Sequence, residues 1–479
     1  MRYRITPIYV TIFFCWLALI TISYAGWERT YGWIYDEVVY SLEITGNKDY
    51  IIAGYARDSD YSPKYFYLMK VGDDGDSMWA RTYIEGEAHD VKQTADGGFI
   101  ASGYNNLDEE YYLLKINTDG STIWTSSITE CPWSTSNSSI VQAEDGDYVV
   151  VWRRSPDFHD FFVARTNPYG DTIWTRRIGR ELNDYANCIV EASDGKYIIV
   201  GGTSIETSSE VDVYIVQIDS LGEMVWDTCY GGTGRNDAYF ISATDDGYYI
   251  IVGRTSLYYD ILFDVYLLKI NDSGDTLWTR KIGGEDESDI GRCVRPTTDG
   301  GYIIVGYTYS YGIGTPDSSN VYLVKTDSEG YVEWEHTYGG PGEDKGYSVS
   351  QTDDGGYIIA GVYDQGPHTD VYLIKTDSLG NVDWIREPGM KPQEISMNVY
   401  PNPFNSSCQI TVDVGAFRET PLQIEIFDLR GNLVGALNLT PLQNGAAIWQ
   451  PDEEIGSGIY LVRATVGEKT TTKRIVLIR

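Results

Sequence analysis

The residues best placed to do chemistry in this chain are carboxylates at a regular spacing. Glu37, Glu87, Asp184, Asp237, Asp289 and Asp344 each stand just before a short strand-like run, one acid in six of seven successive repeats. Six acids around one mouth would offer the several oxygen ligands that a hard cation such as calcium wants, or a field that selects cationic ligands. The competing and favoured reading is that each acid caps backbone where a loop enters a strand. In the third repeat Thr135, Ser136 and Asn137 stand there instead. A basic residue also recurs, at Lys70, Lys115, Arg165, Lys269, Lys325 and Lys375, with Gln217 as the exception. A base in nearly every repeat reads as a pairing or snorkelling device rather than as a catalytic group.

Other chemistry is sparse. The four histidines, His89, His159, His336 and His368, fall in different repeats without metal-binding spacing. There is no GxSxG elbow, no P-loop, no GxGxxG after a strand and no adjacent cysteine pair. A glycosidase drawing two acids from different loops stays open, because such a pair has no fixed sequence spacing. Against 36 Lys and Arg stand 70 Asp and Glu, a net charge of −34, which argues against nucleic acid and anionic membrane surfaces as partners. Aromatic residues at 14% and apolar residues at 42% argue equally against a disordered acidic chain.

The elements that carry these residues are set by internal repetition. An aromatic recurs at Tyr67, Tyr112, Phe162, Tyr214, Tyr266, Tyr322 and Tyr372, and twelve residues after each comes a tryptophan: Trp79, Trp124, Trp174, Trp226, Trp278, Trp334 and Trp384. Upstream, a second phrase of the type Asp354-Gly-Gly-Tyr-Ile-Ile-Ala-Gly361 places aromatics at Tyr50, Phe99, Tyr148, Tyr197, Tyr249, Tyr302 and Tyr357, a period of 49 to 55 residues. Each unit reads as four short strands, with an Asp-Gly hairpin turn between the first two. Seven such units predict an all-β fold, a seven-bladed β-propeller of four-stranded blades. An eighth tryptophan, Trp27, opens a strand with no unit before it, and that strand is suited to closing the ring against the last blade. Trp384 competes for the same edge, and the choice between them is open. These tryptophans read as packing between blades. The turns joining strands one to two and three to four are regular, whereas the opposite links vary in length, so recognition belongs on the variable face.

Around this array the chain is punctuated at both ends. Arg2 and Arg4, the apolar stretch from Ile8 to Ile22, and Ser23-Tyr24-Ala25 make residues 1–25 a secretory signal peptide, with no later segment apolar enough to span a membrane. Five cysteines remain after it, Cys131, Cys188, Cys229, Cys293 and Cys408. An odd number without metal spacing reads as small buried hydrophobes. Cys188 and Cys293 hold equivalent places two blades apart, too far for a bridge. The propeller is expected over 26–386, a linker over 387–394, and a small immunoglobulin-like β-sandwich of about seven strands over 395–479.

Three phrases in that last stretch carry a resemblance: Val399-Tyr-Pro-Asn-Pro-Phe404, Gly458-Ile-Tyr-Leu-Val462 and the terminal Lys473-Arg-Ile-Val-Leu-Ile-Arg479. By their order and position the segment resembles the type A C-terminal sorting domain of the bacterial type IX secretion system. The resemblance makes Tyr400, Pro401, Asn402, Pro403, Phe404, Gly458, Tyr460, Lys473 and Arg474 the sorting motif. It implies the type IX machinery as partner, export across the outer membrane of a Gram-negative-type bacterium, and release or surface anchoring. The phrase Asp377-Ser-Leu-Gly-Asn-Val-Asp-Trp384 also resembles the tryptophan-docking repeats of quinone-dependent propellers and the Asp-boxes of sialidases, with different spacing. That likeness speaks for propeller packing only. The reading that follows is a secreted or surface-displayed propeller that binds an extracellular glycan or protein, with no cofactor beyond a possible calcium. A glycan-acting hydrolase is the alternative.

Overall fold

The computed structural model describes residues 26–382 apart from short loop segments, and then residues 396–400, 408–413, 422–428, 433–439, 446–451, 455–466 and 469–477. The expected signal peptide, the linker, His159, Cys131, Trp384 and Pro401 to Phe404 lie outside the described residues. Two units separate by their internal contacts, residues 1–384 and 385–479. There is no α-helix among the described residues, and no helix long and apolar enough to cross a membrane.

In the first unit the strands follow the repeated phrases. β-Branched and aromatic runs such as Tyr302–Thr308 and Asn320–Thr326 are buried along their whole length, as central strands covered on both faces must be. Consecutive strands pair antiparallel into four-stranded sheets. One runs in order through Asp289–Pro296, Tyr302–Thr308, Asn320–Thr326 and Val332–Tyr338. The sheets spanning 134–178, 184–230 and 236–282 repeat this order. The first two sheets are joined, because the long strand Ser77–Gln93 is the last of one and the first of the next.

The N-terminal strand settles the edge left open by the sequence. Trp27–Tyr31 pairs antiparallel with Thr369–Thr376, Trp27 opposite Lys375 and Tyr31 opposite Val371, and completes the sheet of Lys345–Gln351 and Tyr357–Asp364. That last sheet also packs on the first. Val39, Leu42 and Ile52 share a core with Ile358, Ala360 and Leu373, and Ser348 Oγ donates to the Leu42 carbonyl at 3.3 Å. Comparable cores lie between every other neighbouring pair of sheets. The first strand of each sheet touches the first strands on either side, so these strands surround an axis. The result is a closed, propeller-like ring.

The tryptophans join one sheet to the next. Trp79 Nε1 donates to the Thr118 carbonyl at 3.3 Å, Trp174 to Ser220 at 3.3 Å and Trp226 to Asp272 at 3.1 Å, each in the strand three to four turn of the following sheet. Trp27 does the same to Asp73 at 3.4 Å across the closure. The turn must offer a glycine there. Gly170 has φ of +88°, and a Cβ on it would press on the Trp124 ring; Gly330 stands in the same relation to Trp278. The recurring bases are pairing devices. Lys70, Lys115, Lys269, Lys325 and Lys375 reach Asp49, Asp96, Asp246, Asp299 and Asp354 at 2.6 to 3.2 Å, pinning the first hairpin turn to the third strand. Arg165 does so with Asp147 at 2.8 Å, and Gln217 turns instead to Asp272.

In the second unit, Ser396–Tyr400, Cys408–Asp413 and Ala446–Trp449 form a three-stranded sheet. Leu433–Leu439, Leu422–Asp428, Gly458–Val466 and Lys469–Leu477 form a four-stranded one, in that order. Ile410, Ile424, Ile426, Trp449, Val462 and Ile475 are buried.

Candidate functional site

Four of the six regularly placed acids share one register and two do not. Glu37, Asp184 and Asp289 lie opposite Ala56, Thr203 and Thr308, two places beyond the second-strand glycines Gly54, Gly201 and Gly306. Asp344 immediately precedes Lys345, whose partner is Val362, and so falls in the same register. Glu87 and Asp237 lie opposite Tyr104 and Arg254, only one place beyond Gly103 and Gly253. Because successive strand residues face opposite ways, that single step turns Glu87 and Asp237 to the other side. The expected single ring of acids is therefore two sets.

Their partners differ accordingly. Asp289 Oδ2 accepts from the Gly284 N–H and Ser310 Oγ, both at 2.7 Å. Asp344 accepts from Gly340 N–H at 2.6 Å and Asp364 N–H at 2.9 Å, and Asp184 accepts from the Arg180 N–H. These three hold the loop that leads into their strand. Burial pushes all three carboxyls above the usual range. Glu87 instead accepts from Lys64 Nζ at 3.0 Å and the Tyr40 hydroxyl at 3.3 Å. Asp237 meets Arg254 at 2.7 Å and Arg235 at 3.2 Å. Among the described residues no three His, Cys, Asp or Glu side chains come together in a way that would hold a metal ion.

A different ring is built two or three residues further along the same strands. The first strand of six sheets carries a β-bulge at an equivalent place, and the unpaired residues are Tyr40, His89, Asn187, Tyr239, Arg292 and Tyr347. In the remaining sheet a wider irregularity ends at Asn137. A bulge re-aims a side chain and recurs at functional rims. Here it sets side chains of unlike chemistry at one level of the axis. Tyr40 lies edge-on to Tyr347, with ring centroids 5.7 Å apart, and 5.6 Å from His89. Asn137 Nδ2 donates to Asn187 at 3.4 Å, and Asn187 Nδ2 donates to the Ala238 carbonyl at 2.7 Å. Arg292 Cζ stands 4.4 Å from the centre of the Tyr239 ring, 5.5 Å from Tyr307 and 5.9 Å from Tyr347.

Two polar groups in this ring are left unmet. His89 is 7% exposed and neither of its ring nitrogens has a hydrogen-bond partner. Burial holds it neutral, with a pKa lowered to about 4, although Glu87 and Asp90 pull upward while Lys64 adds to the lowering. Arg292 donates one N–H to the Tyr307 hydroxyl at 3.3 Å, while its Nε has no acceptor and it makes no ion pair among the described residues. Beneath the ring Asp90 laces three strands together. It accepts from Ser41 Oγ at 2.7 Å, Ser139 Oγ at 3.2 Å, the Ile140 N–H at 3.0 Å and Lys92 Nζ at 3.1 Å.

The sequence pointed to the acids and passed over the bulges. Their trace was present in the second-strand phrase ending in glycine. A Cβ at Gly54, Gly103, Gly201, Gly253, Gly306 or Gly361 would run into a carbonyl of the first strand beside the bulge. Trp152 replaces that glycine in the one sheet with the wider irregularity. The cysteines Cys188 and Cys293 are buried free thiols, and Cys229 is a half-buried one. In the second unit, Tyr400 ends a strand opposite Gln409 and Gly458 opens one opposite Leu477. The Tyr460 hydroxyl donates to the Gly456 carbonyl at 2.6 Å, and Lys473 and Arg474 pair with Val462 and Leu461.

The all-β ring of four-stranded sheets is of the propeller type. The chain is similar to a puromycin hydrolase at a TM-score of 0.44 and 11% identity, over 78% of this chain and 59% of that one. It is similar to extracellular domains 1–2 of Drosophila Semaphorin 1b at 0.42 and 9%, covering 72% and 87%. An exo-β-1,3-galactanase from Phanerochaete chrysosporium matches at 0.34 and 9%, covering 73% and 94%. The chain thus spans under two thirds of the puromycin hydrolase. No curated protein matches it in sequence. Residues 398–478 match the secretion system C-terminal sorting domain family, so the chain carries a type IX sorting domain that marks it for export to the cell surface or the medium.

Proposed function

We propose that this protein is a secreted or surface-displayed binding protein, a seven-bladed β-propeller over residues 26–386 delivered by an immunoglobulin-like sorting domain over 395–479. Residues 1–25 are its signal peptide. The observation that carries the binding role is the ring of bulged residues. A scaffold that repeats its tryptophans, glycines and ion pairs nearly unchanged holds tyrosine, histidine, asparagine and arginine at one equivalent axial position. Packing would not demand such variety, whereas recognition of an unsymmetrical ligand would. The ring lies midway along the first strands, as with Tyr40 in Glu37–Ile44 and Arg292 in Asp289–Pro296, and the variable links form the face from which ligand enters. The acids of the loop-anchoring set serve the scaffold, and calcium is at most a secondary ligand.

A glycan and protein array probed with the exported protein tests this reading. Binding without product release supports it, and turnover of a bound glycan would replace it with the hydrolase reading. For the tail, a chain ending at Glu387 is expected to fold in the periplasm and fail to leave the cell. Normal secretion of that chain by its native host would remove the sorting role.

A further inference from the structure

We propose that the axial ring binds a carboxylate-bearing sugar, with the Arg292 guanidinium taking the carboxylate. This rests on the binding role proposed above and names the ligand class for the same site. The chain carries 70 acidic residues against 36 basic ones, and the arginines and lysines around this mouth have found carboxylates: Lys64 with Glu87, Arg57 with Asp36, Arg235 and Arg254 with Asp237, Lys345 with Glu343. Arg292 has none among the described residues. It is half-buried against the faces of Tyr239, Tyr307 and Tyr347, with its Nε unmet.

A desolvated guanidinium whose orientation is fixed by aromatic faces is a prepared fork for a planar anion. Three residues further along the same strand, Arg295 repeats the arrangement. Its Cζ stands 4.7 Å from the Phe240 ring centre and its Nε is likewise unmet. Arg295 thus adds a second cation with no ion pair among the described residues, at the level where Glu43 is taken by Lys92, in a protein whose net charge is −34.

The rest of the ligand is read from the neutral part of the ring. Tyr40, Tyr239 and Tyr347 line the axis beside Arg292, whose guanidinium lies against the last two rings, and the Tyr239 and Tyr347 hydroxyls are groups to which those of a sugar bond. His89, buried beside Tyr40 with both nitrogens unpartnered, is a donor and an acceptor awaiting one hydroxyl or the water that it displaces. A bare inorganic anion would use Arg292 and leave His89 and the tyrosines idle. A neutral sugar would leave Arg292 unpaired.

Calorimetric titration of the exported protein with D-glucuronate, D-glucose, acetate and sulfate at low salt tests the assignment. Glucuronate is expected to bind at least about tenfold tighter than the other three. Arg292→Met, which keeps the stem volume, is expected to lose about tenfold for glucuronate and nothing for glucose, with Arg292→Lys between. A measurement on the unaltered protein runs beside these: glucuronate, and not glucose, is expected to protect Arg292 from modification by phenylglyoxal, read by peptide mass. Equal binding of glucuronate and glucose, acetate or sulfate as tight as glucuronate, or an unprotected Arg292 would each overturn the proposal. Array binding that Arg292→Met leaves unchanged would refute this inference while the binding role stands. A silent array together with an unprotected Arg292 would remove both.

Discussion

The Tyr372 hydroxyl donates to Glu28 Oε2 at 2.8 Å, joining two residues 344 apart in sequence at the seam where the ring closes. Around it the strand Trp27–Tyr31 covers Val371 to Lys375 of the strand Thr369–Thr376, which is buried from Val371 through Thr376. Without that cover, a long apolar edge would face solvent. Deleting residues 26–32 is expected to lower the melting temperature by several degrees. It should also promote self-association. Differential scanning calorimetry with light scattering checks both, and an unchanged melting temperature would mean that the seam holds without its last strand.

The tryptophan joints should be separable. Trp174 and Trp334 sit in different seams, each over the turn glycine of the following sheet, Gly222 and Gly380. Truncating either to alanine is expected to cost about 2 kcal/mol, less than for a fully buried tryptophan because both are partly exposed. The double variant should lose the sum within about 0.5 kcal/mol. Urea midpoints of the two single variants and the double variant measure this.

His89 gives the fold a dependence on acid. In the folded protein it titrates near 4, below its ordinary 6.5, because burial disfavours the imidazolium. The unfolded chain therefore takes up the proton first, and stability contributed by neutral His89 is complete above pH 6.5 and declines as pH falls toward 4. The loss from this residue is on the order of 3 kcal/mol. Thermal melts between pH 7 and pH 4 should show wild type losing more stability than His89→Gln as pH falls. Parallel curves would mean that His89 is not held neutral by burial.

Asp289 works in the opposite sense. Its folded carboxyl is raised above the ordinary 3.8 by burial, so its charge weakens the fold at neutral pH, and that weakness is relieved as pH falls through the raised value. Asp289→Asn keeps an acceptor for Gly284 N–H and Ser310. It is expected to melt a few degrees higher than wild type at pH 7 and no higher at pH 4. The turn acids Asp96 and Asp299, lowered to about 2, lose their contribution only below that window. Calcium should raise the wild-type melting temperature no more than salt of equal ionic strength does. A larger calcium shift, abolished in Asp289→Asn with Asp344→Asn, would restore the cation reading of the acids.

Much of this architecture could be read directly from residue order. The spacing from each third-strand aromatic to its tryptophan specified the strands and their number per unit. The odd strand at Trp27 specified that a closure existed. The same order misled at the acids, because Glu87 and Asp237 look equivalent to Asp289 until they are counted from Gly103 and Gly253. One residue of offset in a strand of period two exchanges its faces, and no composition or motif records it.

Sequence alone thus determined the repeat, the pairing of neighbouring strands, the tryptophan joints and the exported tail. All of these rest on local patterns: alternation, turn glycines and short fixed spacings that act within one unit or between adjacent ones. Tertiary structure decided that Trp27 rather than the far end of the repeats covers Thr369–Thr376, and that Tyr40, His89, Tyr239, Arg292 and Tyr347 meet around one axis. Those relations join residues from opposite ends of the array, through bulges whose chemistry differs from sheet to sheet. They exist only once the ring has closed, because closure is what brings the first strands of all the sheets around a common centre.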